Sequence, residues 1–120
     1  MNHKQMVNAY ITLMRLSGAS MPIRTAHELY CLRKKLEPAY QFCSEREQLI
    51  AEQYHGRIVN GRLSFEDESD MLHAQAELQE LYALQSDEPF NAVSLNLNDI
   101  GDVSISVNDI ESLEGFVVLT

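Results

Sequence analysis

Two residues with metal-ligating side chains, His27 and Cys31, stand four positions apart in a segment with helical periodicity. This spacing puts both side chains on one helix face, where they would supply two of the four ligands of a structural zinc site. The other two ligands would have to come from His55, His73 or Cys43, and no paired CxxC or HxxxH spacing supports that set. The pattern therefore favours a thiol and a histidine without a metal, and we predict no cofactor.

Cys31 also has features of a nucleophile, because a histidine base and a positive field lower the pKa of a thiol. The cations Arg33, Lys34 and Lys35 follow it after one residue, Leu32. Both cysteines, however, fall in the apolar stripe of a predicted helix, where cysteine commonly serves as a small hydrophobic residue. The sequence also has no GxSxG, P-loop, GxGxxG or HExxH motif. We therefore predict a non-enzymatic protein with no catalytic residues.

The carboxylates are the more informative set. Residues 63–120 contain thirteen acids and no Lys or Arg, so this half carries −13, whereas residues 1–62 carry +4 in a chain of net charge −9. Such a field keeps a small protein soluble and also suits a basic protein partner. The candidate partner-binding residues are Glu66, Asp67, Glu68, Asp70, Glu77, Glu80, Asp99, Asp102, Asp109, Glu111 and Glu114.

Composition excludes several classes of protein. The acidic balance argues against direct nucleic-acid binding, which depends on Lys and Arg that neutralise phosphates. No apolar run approaches the roughly 18–20 residues that span a bilayer, so we predict no membrane partner. The N-terminus has no signal-peptide pattern, and two cysteines are too few for a disulfide scaffold. These features predict a cytoplasmic location.

One basic patch lies in the first half of the chain and consists of Arg24, Arg33, Lys34, Lys35 and Arg46. If this patch were a functional site, it would bind a phosphate group or an acidic partner. The simpler interpretation is the solvated face of a long helix, with some of its charges meeting an acidic helix beside it. Exposed pairs of this kind contribute under about 1 kcal/mol each.

The hydrophobic pattern predicts three helices in residues 1–86. The first runs from about Lys4 to Ser17, and the second from Pro22 or Thr25 to about Tyr54. Pro38 lies inside the second helix, so we expect a kink there, or two helices that meet there. The apolar seam of the second helix is Leu29, Leu32, Leu36, Tyr40, Cys43, Ile50 and Tyr54.

Asn60-Gly61 between apolar residues predicts a tight turn or small β-hairpin after the second helix. A third helix, with Ser64 at or just before its N-cap, would run to about Leu84 or Gln85 and complete an antiparallel helical hairpin. The apolar seam of the second helix would be buried against other helices of the same chain or against a second copy in a homodimer.

After Pro89, apolar and polar residues alternate, so the hydrophobic pattern has a period of two residues. Strands are predicted for Val93, Leu95 and Leu97, and for Val103, Ile105 and Val107, with Asp99–Asp102 as the turn of an antiparallel pair. A short turn of helix, capped by Asn108 or Asp109 and running to about Leu113, follows, and Gly115 ends it. The predicted fold class is α+β and mainly helical, with a small C-terminal antiparallel β segment. Residues 1–120 form a single domain, with a helical part (1–86) and a β-rich acidic part (87–120).

Three stretches together resemble a family of small uncharacterised proteins of tailed bacteriophages and prophages. They are Met21-Pro-Ile-Arg-Thr-Ala26, Glu37-Pro-Ala-Tyr40 continuing to Leu49-Ile50, and Ile100-Gly-Asp-Val-Ser-Ile-Ser106 continuing through Leu113 to Phe116. Asn108 and Gly115 stand where that family has prolines. The resemblance implies phage origin, action inside a bacterial host cell or in a virion, and a non-enzymatic role. It transfers no site residue.

Three functions are therefore considered. The first is a phage-type protein that works through protein–protein contacts of its acidic C-terminal half, as a virion or assembly accessory or as a binder of a host protein. The second is an acidic mimic of nucleic acid that inhibits a host nucleic-acid-binding defence protein. The third is an antitoxin-like binder, for which no helix-turn-helix is evident.

Overall fold

The computed structural model describes residues 1–87, 89–101 and 104–120, and it confirms a mixed α+β fold that is mainly helical. Glu88, Asp102 and Val103 lie outside the described residues. The elements in chain order are α1 (His3–Leu16), α2 (Ile23–Gln53), β1 (Arg57–Val59), β2 (Arg62–Ser64), α3 (Glu68–Ala83), β3 (Val93–Leu95), a 3-10 helix (Leu97–Asp99), α4 (Val107–Leu113) and β4 (Val117–Leu119).

Helix α1 begins at a capping box. The Asn2 side chain accepts from the Gln5 backbone N–H, and the Gln5 side chain accepts from the Asn2 N–H, each at 2.9 Å. These bonds satisfy two backbone donors that the first turn of a helix leaves free. Helix α1 packs on α2, where the rings of Tyr10 and Tyr40 stack with centroids 4.5 Å apart, whereas the apolar residues Ile11 and Met14 of α1 are exposed.

Helix α2 is continuous through Pro38, so the alternative of two helices that meet there is wrong. Proline removes one helical hydrogen bond. Leu36 and Ala39 on either side of it are buried, and this packing holds the helix together across the missing bond. Of the predicted seam, the members up to Leu36, together with Cys43 and Ile50, are buried, and both tyrosines are half-buried.

The predicted β-hairpin is confirmed. Strands β1 and β2 pair antiparallel, with Val59 opposite Arg62. Asn60 has φ 53° and Gly61 has φ 75°. Positive φ at both central residues is what a type I′ turn requires, and an asparagine and a glycine adopt it at low cost.

Helix α3 begins later than the sequence predicts. Ser64 pairs with Arg57 in the hairpin and does not cap the helix. The N-cap is Asp67, whose carboxylate accepts from the Ser69 N–H at 2.8 Å. The end of α3 is tied to the start of α1 by a hydrogen bond from the His3 N–H to the Leu84 carbonyl at 2.9 Å.

The prediction of a C-terminal antiparallel strand pair is wrong. Strand β3 pairs in parallel with β4, with Val93 opposite Val117. Leu97 lies in the 3-10 helix, and Val107 is the first residue of α4. Val103, the remaining alternating valine, lies outside the described residues. The strand pattern there fails because a stronger local signal, a helix cap, follows at residue 106.

That cap starts α4 two or three residues before the predicted position. The Ser106 Oγ accepts from the Asp109 N–H at 3.2 Å, and the Asp109 carboxylate accepts from the Ser106 N–H at 2.9 Å. Such a reciprocal pair stabilises a helix start. After α4, Gly115 takes φ 85°, which lets the chain reverse into β4. Residues 87–120 therefore contain α4 as well as two three-residue strands.

The core consists of two apolar clusters that meet at α1. The larger joins α1, α2, the end of α4 and the β3–β4 pair, and its buried members include Leu13, Leu36, Leu95 and Phe116. The smaller joins α2 to α3, with these buried members: Val7, Cys43, Ile50, Ala74 and Leu81. Because α3 packs only on the later half of α2, the earlier half is left for α1 and β3.

Candidate partner-binding surface

The acids at the start of α3 stabilise that helix. Asp67 caps it, and Glu68 and Asp70 lie in its first turn. Negative charge is favourable there because the unpaired N–H groups give the helix N-terminus a partial positive charge. Glu66 and Glu68 are exposed and Asp70 is half-buried.

The two later acids of α3 lie on other faces. At about 100° per residue, Glu77 and Glu80 stand about 180° and about 120° around the helix from Glu68. Glu77 accepts a hydrogen bond from the Tyr54 hydroxyl at 3.0 Å, which raises the pKa of that tyrosine. Glu80 is exposed. By the same count Asp70 stands about 200° from Glu68, so Asp70, Glu77 and Glu80 share an arc of about 80° and Glu68 lies outside it.

Asp109 has a structural role. Besides capping α4 it forms an ion pair with Arg15 of α1. Hydrogen bonds from the Ser106 backbone and from Arg15 hold the pKa of Asp109 below its ordinary value. The carboxylate thereby fixes α4 against α1. Asp99 is exposed in the 3-10 helix, and Asp102 lies outside the described residues.

We expect Asp109→Ala to lower the free energy of unfolding at pH 7 by about 0.3–1 kcal/mol, because an anion is lost from a helix N-terminus. The folded-state pKa is lowered, so this stabilisation is present above the unfolded-state value, about 3.9, and is lost as the pH falls through the folded-state pKa. Urea unfolding at several pH values tests this. A difference between the two proteins that stayed constant down to pH 2 would contradict it.

Glu111 and Glu114 remain available to a partner. Both are exposed, and they line a shallow cleft of about 210 Å³ between α4 and α1 together with Gln5, Asn8 and Ser112. Among the described residues, neither glutamate forms an ion pair.

Two large apolar side chains lie on the same short helix. Val107 is 73% exposed and Ile110 is 46% exposed. We call four exposed residues of this helix and its C-cap, Val107, Ile110, Glu111 and Glu114, the α4 surface. The sequence analysis missed the apolar pair because it placed Val107 in a strand. The Ser-x-x-Asp spacing of a capping box at residues 106–109 was the available signal.

Among the described residues, no cation of the basic patch forms an ion pair with α3. Within the described ranges the ion pairs are Arg15–Asp109 and Lys34–Glu37, and neither joins α2 to α3. The expected pairing across the helical hairpin is therefore wrong. Its physical reason is position, because α3 packs on the half of α2 that contains Cys43 and Ile50, whereas the patch lies mostly in the half before Leu36.

The two cysteines differ in environment. Cys43 is buried, and its burial raises the pKa of the thiol. Cys31 is exposed, so the prediction that it lies in the apolar stripe is wrong. Its Sγ lies 3.6 Å from the His27 Nε2. Of the residues that the structure describes, no three His, Cys, Asp or Glu side chains form a group able to hold a metal ion.

Comparison of the chain with protein-family models, with curated proteins and with solved structures found no match. Among the helices of the described residues, none combines the length and apolar character that crossing a membrane requires.

Proposed function

We propose that the protein is non-enzymatic and works through protein–protein contacts of its α4 surface. The observation that carries this proposal is the exposure of Val107 and Ile110 beside the exposed carboxylates of Glu111 in α4 and Glu114 at its C-cap. Helix α4 is held by its capping box and by the Arg15–Asp109 ion pair. A contact surface that is fixed before binding costs less ordering entropy when a partner docks.

The chemistry of the α4 surface describes its partner. Removal of apolar side chains from water favours association, and the part that exceeds the costs of ordering and desolvation appears as affinity. The carboxylates of Glu111 and Glu114 favour Lys or Arg on the partner and speed encounter with a basic protein. The partner we propose is therefore a protein with an apolar patch bordered by cations. From the phage-like sequence stretches we further propose that it is a bacterial host protein or a virion component.

A compact contact surface explains the placement of the acids better than a long acidic track does. A nucleic-acid mimic needs carboxylates spaced along one continuous face. Here Glu68 lies on a different face of α3 from the other three acids of the helix, and Asp67, Glu77 and Asp109 are hydrogen-bonded within the chain. These placements favour contact through α4.

The test is capture from a bacterial lysate on the immobilised full chain, followed by binding of the identified protein in purified form. We expect the double variant Glu111→Gln/Glu114→Gln to weaken binding about tenfold, as the loss of charge-assisted contacts does. Ile110→Ala is expected to weaken it as well. Binding of the natural sequence should fall as salt is raised from 0.05 to 0.5 M.

The matched control is Glu66→Gln/Glu68→Gln, which removes the same charge from exposed positions outside α4. This control is expected to bind like the natural sequence. Equal weakening by both double variants would mean that overall charge and not the α4 surface governs binding. Binding indifferent to salt and to Ile110→Ala would contradict the proposal outright.

A further inference from the structure

A pocket lies where α1 ends and α2 begins. The connection between the two helices leaves a space of about 350 Å³ that opens to solvent on one side. Its base is apolar, because Leu13, Leu16 and Leu29 line it and each is at most 7% exposed. Met21 and Ala26 continue the apolar wall. The volume is within the range of sites that take small organic ligands.

The wall of the pocket contains a cation with unused hydrogen-bond donors. Arg33 is half-buried, and its Nη1 donates to the Met14 Sδ at 3.3 Å. A thioether sulfur is a weak acceptor, and the planar guanidinium has five N–H donors. Within the ranges that the structure describes, no carboxylate pairs with Arg33, and no Asp or Glu lines the pocket.

The Arg33 guanidinium is also held in place by an aromatic ring. Its central carbon lies 5.5 Å from the centroid of the Tyr30 ring, which is a cation–π distance. Tyr30 itself lines the pocket, as does His27. An oriented guanidinium is suited to a carboxylate, because two parallel N–H groups match its two oxygens.

We propose that this pocket binds a small monocarboxylate of about ten non-hydrogen atoms, most of them in an apolar body. The apolar body packs on Leu13, Leu16 and Leu29, and the carboxylate accepts hydrogen bonds from Arg33. A liquid water occupies about 30 Å³, so the pocket has room for about a dozen waters, which an apolar chain of that size would displace. This pocket is separate from the α4 surface, so a test of ligand binding here is independent of a test of the proposed function.

Charge decides between ligands of the same shape. An amine would place its ammonium against the Arg33 guanidinium, and like charges repel. An alcohol fits the apolar base but forms no charge-assisted hydrogen bond. A free phosphate would leave the leucines without a partner. The carboxylate is the one of these groups that satisfies both the base of the pocket and Arg33.

Isothermal titration calorimetry of the full chain with octanoate, octan-1-ol and octylamine tests the proposal, with octanoate and octylamine kept below their critical micelle concentrations and octan-1-ol below its solubility limit. We expect saturable binding of one octanoate per chain, octan-1-ol about tenfold weaker, and octylamine weaker still. A parallel titration with 3-phenylpropionate shows whether the body is linear or aromatic. No saturable binding of either carboxylate, or octylamine binding as tightly as octanoate, would overturn the proposal.

Variants locate the site. Arg33→Gln is expected to weaken octanoate about tenfold and to leave octan-1-ol unchanged, since a charged hydrogen-bond donor is removed and the apolar base is kept. Ala26→Phe, at an exposed position of the wall, should abolish binding of both by filling the space. The control Arg46→Gln removes an exposed α2 cation that does not line the pocket. If Arg46→Gln weakened octanoate binding as much as Arg33→Gln does, the assignment of the binding site to this pocket would be wrong.

Discussion

Phe116→Ala is expected to lower the free energy of unfolding by about 3–5 kcal/mol, the usual cost of emptying a buried aromatic site. Phe116 is fully buried, and the ring of Phe90 meets its ring edge-on with centroids 5.4 Å apart. Its carbonyl accepts from the Val93 N–H at 3.0 Å, at the point where β4 begins to pair with β3. Urea unfolding followed by far-UV circular dichroism measures the change.

Val118→Ala is the matched control, because Val118 lies two residues away in β4 and is 50% exposed. Its expected cost is under about 1 kcal/mol. Should Phe116→Ala fail to fold, Phe116→Leu retains most of the apolar volume and is expected to give a smaller loss in the same direction. Equal effects at the two positions would contradict the packing of β4 onto the helices.

Local signals in the sequence were sufficient for the helices and the hairpin. The seam of α2 repeats at helical spacing over 26 residues, from Leu29 to Tyr54, and Asn60-Gly61 demands a specific turn. Such signals depend on residues that are close in the chain, so the local structure they favour does not require knowledge of the tertiary contacts. The N-cap of α3 was misplaced by three residues because Ser64 and Asp67 are both good caps, and only the pairing of β2 decides between them.

The parallel β3–β4 pair could not be predicted in the same way. Its partners, Val93 and Val117, are 24 residues apart, and an alternating pattern indicates a strand without naming the strand it pairs with. Three-residue strands are also too short for a period to be read. The chain between them crosses back through α4, so the pair became parallel instead of a hairpin.

The candidate sites depended on tertiary packing in different degrees. Sequence alone identified Glu111 and Glu114 as available acids, but the exposure of Val107 and Ile110 required the correct assignment of α4. The pocket beside Arg33 forms only when the ends of α1 and α2 meet, and no residue pattern within either helix predicts the space between them. The prediction of ion pairs between α2 and α3 was wrong because the sequence does not indicate which half of α2 contacts α3.

That contact between α2 and α3 is the subject of the second large effect. Ala74→Leu is expected to destabilise the protein by about 1–3 kcal/mol, because extra methylenes in a packed core force neighbouring side chains out of position. Ala74 is fully buried and packs in the cluster that includes Cys43, Ile50 and Leu81. Urea unfolding of the variant and of the natural sequence measures the difference.

Ala76→Leu provides the same substitution on the opposite side of the same helix, since two residues turn α3 by about 200°. Ala76 is exposed, and leucine has a helix propensity close to that of alanine, so its expected effect is within about 0.5 kcal/mol. A large loss at Ala74 with none at Ala76 therefore establishes which face of α3 lies against α2. The reverse order would mean that α3 is rotated about its axis, with Ala76 and not Ala74 against α2.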